Sequence, residues 1–119
     1  EGEKLISEIQ EFKNLPISDH IFLMQNTACL VGNSSSGIRE GAFIGTPVVN
    51  IGSRQNARDR GKNVKDVGCN KKQIIEAILH QINHGKYKSE KIYGDGSAGL
   101  RIAEILYKEN VNVQKKISY

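Results

Sequence analysis

A chain of 119 residues, 38% apolar and 25% charged, can bury one core and is too well balanced to be disordered. Its formal charge of +4 suits an anionic ligand, but aromatics are few and the basic residues are spread along the chain, so nucleic acid is not the expected partner. No stretch is long and apolar enough to span a membrane, and two cysteines, Cys29 and Cys69, imply no disulfide framework, which makes a cytoplasmic setting the default. No leader peptide is visible, and an opening on Glu1 rather than Met suggests an excised or processed piece.

The chain begins with EKLISEIQEF, residues Glu3 to Phe12. Leu5, Ile6, Ile9 and Phe12 recur there at helical spacing, which predicts an amphipathic helix. Pro16 pushes Leu15 toward an extended conformation and ends that pattern. Ser18 has the chemistry of an N-cap for a short helix reaching Asn26-Thr27. Ala28 to Val31 is apolar on both faces, as parallel strands covered by helices are. A turn, Gly32 to Gly37, follows, and then a helix expected from about Ser36 to Ile44, with Ile38, Ala42 and Phe43 inward. Pro47 to Ile51 reads as the next strand. Two strands joined by such a helix make a right-handed parallel unit.

Gly52 to Gly61 is a polar loop carrying Arg54, Arg58 and Arg60. Asn63 to Val67 reads as a short strand. Lys71 to Asn83 is a helix with Asn70 as its cap and Gly85 as its stop. Its expected apolar face is Ile74, Ile75, Ile78, Leu79 and Ile82. Lys86 to Gly96 is a polar connection ending in Tyr93-Gly94-Asp95-Gly96. Ser97 starts a last helix whose face, Leu100, Ile102, Ala103, Ile105, Leu106 and Tyr107, is too wide for a one-sided contact. That face is the candidate for surface left bare where another part of a larger protein packs. Strands alternating with helices give an α/β class, a small Rossmann-like parallel sheet flanked by helices.

The turn Gly32-Asn33-Ser34-Ser35-Ser36-Gly37 is the main candidate site. A helix start after a strand exposes backbone N–H groups, and the helix dipole adds partial positive charge, which together seat a phosphate. On spacing alone it reads equally as a serine-rich N-cap. No Lys-Ser or Lys-Thr follows Gly37, which disfavours a triphosphate with magnesium, and the pattern is not GxGxxG. Glu40 is either an acidic residue near a helix start or a carboxylate accepting hydrogen bonds from the vicinal hydroxyls of a ribose. Arg54, just past the second strand, lies where ligands of open α/β sheets bind. Arg58 and Arg60 read as solvated loop charges. His80 and His84, four apart, could share a metal, but without a third ligand the interaction with the helix end is the better reading, and no metal or cofactor is expected. Cys29 reads as inert core. No catalytic triad or carboxylate pair can be assembled.

Two segments, GNSSSGIREGAFIGTPVVNIGSRQNARDRGKNV and KIYGDGSAGLRIAEIL, make the sequence resemble the UDP-N-acetylglucosamine 2-epimerase family, from about Leu15 to Leu106. NIGSRQNARDRG is more similar to the hydrolysing branch, which converts UDP-N-acetylglucosamine and water to N-acetylmannosamine and UDP for sialic acid synthesis, or handles related sugars of the legionaminic type. The non-hydrolysing branch and a GT-B glycosyltransferase half are the alternatives, and a non-catalytic phosphate-binding module is a third. The resemblance implies the C-terminal, UDP-binding part of a two-domain GT-B fold, inactive alone, with the N-terminal half outside this chain. It places the diphosphate on Ser34, Ser35, Ser36 and Gly37, the ribose hydroxyls on Glu40, a UDP-site arginine at Arg54 and a uracil contact at the Leu15 backbone. It also implies elimination of UDP to a glycal and then addition of water, with the acid and base groups mainly elsewhere in the parent, which can be a homo-oligomer. One departure stands out. Phe12 runs straight into Lys13-Asn14-Leu15-Pro16, where the family has a further loop and strand.

Overall fold

The computed structural model describes residues 8–109. Three strands, β1 (Leu30–Gly32), β2 (Val48–Ile51) and β3 (Val64–Val67), form one parallel sheet in the order β1-β2-β3. Leu30 pairs with Val48 and Gly32 with Asn50, while Val48 pairs with Val64 and Ile51 with Val67. Helices are α1 (Ile17–Asn26), α2 (Ser35–Ile38), α3 (Glu40–Ile44), α4 (Lys71–His84) and α5 (Ala98–Lys108). The α/β class and the parallel sheet are as the alternating pattern predicts. Among the described residues no helix is long and apolar enough to cross a membrane.

The expected Glu3–Phe12 helix falls partly outside the described residues. Its described part carries no helix, and Ile9 and Phe12 are exposed. Ser18 is not a cap. Pro16 occupies that position, its carbonyl accepts from His20 N–H at 3.0 Å, and Ser18 sits inside the first turn. Proline suits this place because it has no N–H to leave unsatisfied. The first strand starts two residues later than expected, and Val31 is 42% exposed rather than buried. The reason is topological. β1 is an edge strand in this chain, and α4 packs on β2 and β3.

The single helix expected between β1 and β2 is two short ones. Arg39, with φ −83° and ψ −73°, breaks it. Ile38 and Ala42 face the core as predicted, but Phe43 is 49% exposed. Gly45 closes α3 in the left-handed region at φ 79°. A Cβ there would also collide with the Tyr87 carbonyl oxygen, because the 85–90 strap runs back across α3. The strap is held by Tyr87 N–H to Gly45 O at 2.9 Å and Glu90 N–H to Ala42 O at 2.9 Å.

α4 is capped as read. Asn70 accepts from Gln73 N–H, and Gly85 N–H bonds to Gln81 O. The face it buries is different. Ala77 and Gln81 are inside, Ile74 and Ile78 half-buried, and Ile75, Leu79 and Ile82 exposed. Gln81 is central because it ties helix to sheet. Its Nε2 donates to Val48 O at 2.7 Å and Asn63 O at 2.8 Å, and its Oε1 accepts from Tyr87 Oη at 2.6 Å. Asn63 continues this polar seam, donating to Gly37 O and Thr46 O, and the Thr46 hydroxyl donates to Met24 O. Buried groups of this kind are costly when unpartnered, and of this seam only Asn63 Oδ1 is without a partner among the described residues.

α5 has no buried residue, and its apolar face stands free, with Leu100 at 72% and Tyr107 at 92% exposure. Its start is fixed by Asp95 rather than by the Ser97 side chain. Asp95 Oδ1 accepts from Ser97 N–H at 2.9 Å, and its other oxygen pairs with Arg101. The Ser97 bond first, and the Arg101 guanidinium with it, hold the Asp95 carboxyl below the usual carboxylate range.

Gln81→Leu removes one donor from two buried carbonyls, of which Asn63 O keeps the Val48 N–H at 2.8 Å, and the acceptor of the Tyr87 hydroxyl, while keeping a similar volume. Urea unfolding of the variant is expected to show a loss of about 1–3 kcal/mol, the range for leaving a buried polar group short of a partner. A loss below about 0.5 kcal/mol, typical of a neutral surface site, would remove Gln81 from the seam.

Candidate functional site

The candidate site lies at the C-terminal edge of the sheet, where β1 and β2 release their chains into the 33–34 turn and the 52–61 loop. Open parallel sheets bind ligands beyond these ends. Ser34 is the N-cap of α2. Its Oγ accepts from Ser36 N–H at 3.3 Å and lies 2.9 Å from Ser36 Oγ. The serine-rich cap is therefore real. Because α2 has only four residues before the Arg39 break, its dipole is weaker than that of the continuous helix expected from sequence. An anion here would depend on N–H and hydroxyl groups and on a side-chain cation.

Gly37 is buried, and its part is packing. A Cβ there would meet Val48 Cγ1 at 3.0 Å and Leu30 Cδ2 at 3.1 Å. The glycine lets the start of α2 lie close over β1 and β2. Ser35 and Ser36 are half-buried, and Ser34 is exposed.

The 52–61 loop folds over this turn. Gln55 Nε2 donates to Asn33 O at 2.9 Å, and Arg54 Nη1 donates to Asn33 Oδ1 at 3.3 Å. The exposed Arg54 is thus tethered to the residue just before the serines, as its place in sequence suggested. Arg60 corrects the reading as a solvated charge. Its Nη1 donates to Arg58 O at 2.6 Å, its Nη2 to Gln55 O at 2.8 Å, and its Nε lies 2.7 Å from Asp66 Oδ2. Asn50 Nδ2 donates to the other Asp66 oxygen at 2.6 Å. Asn50 and Gln55 are almost fully buried, and each keeps one side-chain carbonyl oxygen without a protein partner among the described residues. Arg58 is exposed, as read.

Glu40 opens α3 and is exposed. It lines a cleft of about 810 Å³ with Arg39, Ile21, Phe43, Lys86 and Tyr93, among others. Ser34, Ser35, Ser36 and Arg54 do not line that cleft. Glu40 thus stands between the turn and a groove running along α1 and α3. Tyr93 reaches back from the 93–96 turn, its hydroxyl donating to Asp59 O at 2.8 Å, which ties this glycine-rich turn to the 52–61 loop. Leu15 is half-buried just ahead of α1 and lines no part of the cleft.

His80 and His84 stack at 6.5 Å, and Tyr87 covers His84 at 3.8 Å, so aromatic contacts occupy the pair. Cys29 is half-buried, and burial pushes its thiol up, which keeps it protonated and unreactive at neutral pH.

Residues 1–107 match the sequence profile described as UDP-N-acetylglucosamine 2-epimerase. The chain belongs to that family. Its three-stranded parallel sheet with flanking helices fits the family's GT-B-type architecture. It is 37% identical over 99 residues to a UDP-N,N'-diacetylbacillosamine 2-epimerase (hydrolyzing) of Legionella pneumophila, covering 83% of this chain and 26% of that relative. It is 30% identical over 111 residues to a UDP-N-acetylglucosamine 2-epimerase of Neisseria meningitidis serogroup B, covering 88% of this chain and 29% of that relative. A shorter match, 44% over 59 residues, joins half of this chain to 15% of a GDP/UDP-N,N'-diacetylbacillosamine 2-epimerase (hydrolyzing) of Campylobacter jejuni. The chain thus spans between a quarter and a third of the length of the first two.

Sequence reasoning missed Asn33, Gln55 and the Arg60–Asp66–Asn50 chain. None shows in periodicity, because each acts through a contact between loops or strand ends far apart in sequence.

Gly37→Ala is expected to cost about 1–3 kcal/mol in urea unfolding, the range for overpacking a tight contact. An unchanged midpoint would mean that α2 can move off Val48 freely.

Proposed function

We propose that this chain is the UDP-binding part of a hydrolysing UDP-N-acetylglucosamine 2-epimerase, inactive alone. The observation that carries the reading is the fold of the 52–61 loop onto the β1–α2 turn. It brings Arg54 within 3.3 Å of Asn33, next to the N–H and hydroxyl groups of Ser34 to Gly37. A diphosphate needs both kinds of donor, because charge-assisted bonds from a guanidinium add to those of backbone N–H groups. Glu40, exposed at the start of α3, is the acceptor for ribose hydroxyls. Leu15, ahead of α1, offers its backbone to uracil. The hydrolysing branch is favoured by the NIGSRQ segment and by the names of the Legionella and Campylobacter relatives.

On this reading the substrate is a UDP-N-acetylhexosamine, and the products are UDP and the free 2-epimeric sugar, as in sialic acid and related syntheses. The turn holds the leaving group. Its N–H groups and Arg54 take up the negative charge that grows on the diphosphate as the anomeric C–O bond breaks, which lowers the barrier to expulsion. The acid and base groups belong to the remainder of the parent, whose N-terminal half would cover the bare face of α5. The setting is the cytoplasm, where nucleotide sugars are made.

Calorimetry on the folded chain is expected to show UDP binding that weakens about ten-fold or more in Arg54→Ala, the cost of a lost charge-assisted bond of about 1.5–3 kcal/mol. Glu40→Ala should weaken UDP and uridine alike. Inorganic phosphate competing as well as UDP would favour a plain phosphate module, and the parent transferring sugar to an acceptor would favour a glycosyltransferase. Release of free N-acetylmannosamine by the parent is the result expected here.

A further inference from the structure

We infer that Arg60 and Gln55 are positioning residues for Arg54, holding the 52–61 loop on the serine turn before a diphosphate arrives. The inference rests on the reading of that turn as the diphosphate seat. Arg54 has a long, exposed side chain with a single 3.3 Å bond to Asn33. Left to itself, such a side chain loses much rotamer freedom on binding an anion. The loop that carries it has few means of its own to stay in place. Asn56 N–H to Ser53 O at 3.0 Å and Arg58 N–H to Gln55 O at 3.4 Å are its internal bonds, and Ala57 sits at φ 63°, a left-handed conformation that alanine adopts reluctantly.

Beside the Tyr93 hydroxyl on Asp59 O, a relay of side chains ties the loop to the sheet. Asn50 on β2 holds Asp66 on β3, Asp66 holds Arg60, Arg60 holds the carbonyls of Arg58 and Gln55, and the Gln55 side chain holds Asn33 O. The relay starts in the middle of the sheet and ends at the turn. Gln55 is its joint, because its backbone is gripped by Arg60 while its side chain grips Asn33. Arg60 is poorly placed to bind an anion itself. Both Nη atoms donate to protein carbonyls, and Nε is buried 2.7 Å from Asp66 Oδ2, an ion pair without hydrogen-bond geometry that offsets its charge. It therefore serves Arg54 rather than duplicating it. Gln55, next in sequence to Arg54, transmits that order directly, so the phosphate-facing cation is preorganised.

A double-mutant cycle separates this role from simple stabilisation. Arg60→Ala is expected to weaken UDP binding about 3- to 10-fold, the size of immobilising one rotamer-rich side chain. Uridine, which lacks the phosphates, should bind as before. In an Arg54→Ala background the Arg60→Ala change should have almost no further effect, because coupled residues are not additive. Asp66→Asn, isosteric and milder, should reproduce part of the loss if Arg60→Ala fails to fold. Equal weakening of UDP and uridine, or full additivity with Arg54→Ala, would overturn the inference. Hydrogen exchange without ligand gives an independent reading. Arg60→Ala should speed exchange at the Asn56 and Arg58 amides, and unchanged exchange there refutes the relay. A folded wild-type chain that ignores UDP would instead refute the diphosphate seat, while the exchange result would still decide the relay.

Discussion

Asn33 is the contact on which the site depends. Its carbonyl takes the Gln55 side chain and its own side chain takes Arg54, so the end of β1 and the loop after β2 meet at one residue. Without that meeting the serine turn is a short helix cap and Arg54 is a solvated loop charge. With it, backbone donors and a guanidinium stand on one side of the sheet's C-terminal edge. The four-residue α2 makes this more necessary. A helix so short supplies little dipole, so an anion bound there would lean on the tethered cation.

The opposite end of the sheet explains why the turn can be held so firmly. A seam of buried polar side chains, Thr46, Asn63 and Gln81, joins α1, α2, the sheet and α4. Asn63 donates to the carbonyl of Gly37, the residue whose missing Cβ lets α2 close on Val48 and Leu30. The same glycine that looks like part of a phosphate loop is thus held from beneath by an asparagine. Packing and polar bonding at this point act on one backbone unit.

Much of the fold was legible from residues alone. The Val48–Ile51 run, the Asn70 cap and the Gly85 stop are local signals, and each element formed within a residue or two of its expected bounds. The clustering of Ser34, Ser35, Ser36 and Arg54 near one edge followed from strand order. What could not be read was tertiary. The break at Arg39 leaves the apolar spacing unchanged while turning Phe43 outward. Gln81 stands at the centre of α4's buried face in place of the isoleucines because its side chain bonds Val48 O, Asn63 O and the Tyr87 hydroxyl, and hydrophobic periodicity is blind to such bonds. Arg60 looked like Arg58 in sequence. Asp66, on another strand, separates them in space. The bare α5 was foreseen because a face that wide needs a partner on more than one side, and this chain supplies none among its described residues.

The central claim is that the anion seat is the serine turn with Arg54, not the groove between α1 and α3 that Glu40 also borders. Backbone amide NMR of the folded chain titrated with UDP addresses this most directly. The result predicted is a set of largest shifts at Ser35, Ser36, Gly37, Arg54 and Gln55, with Glu40 following. Shifts centred on Gln25, Phe43 and Lys86, with the serine turn silent, would contradict it.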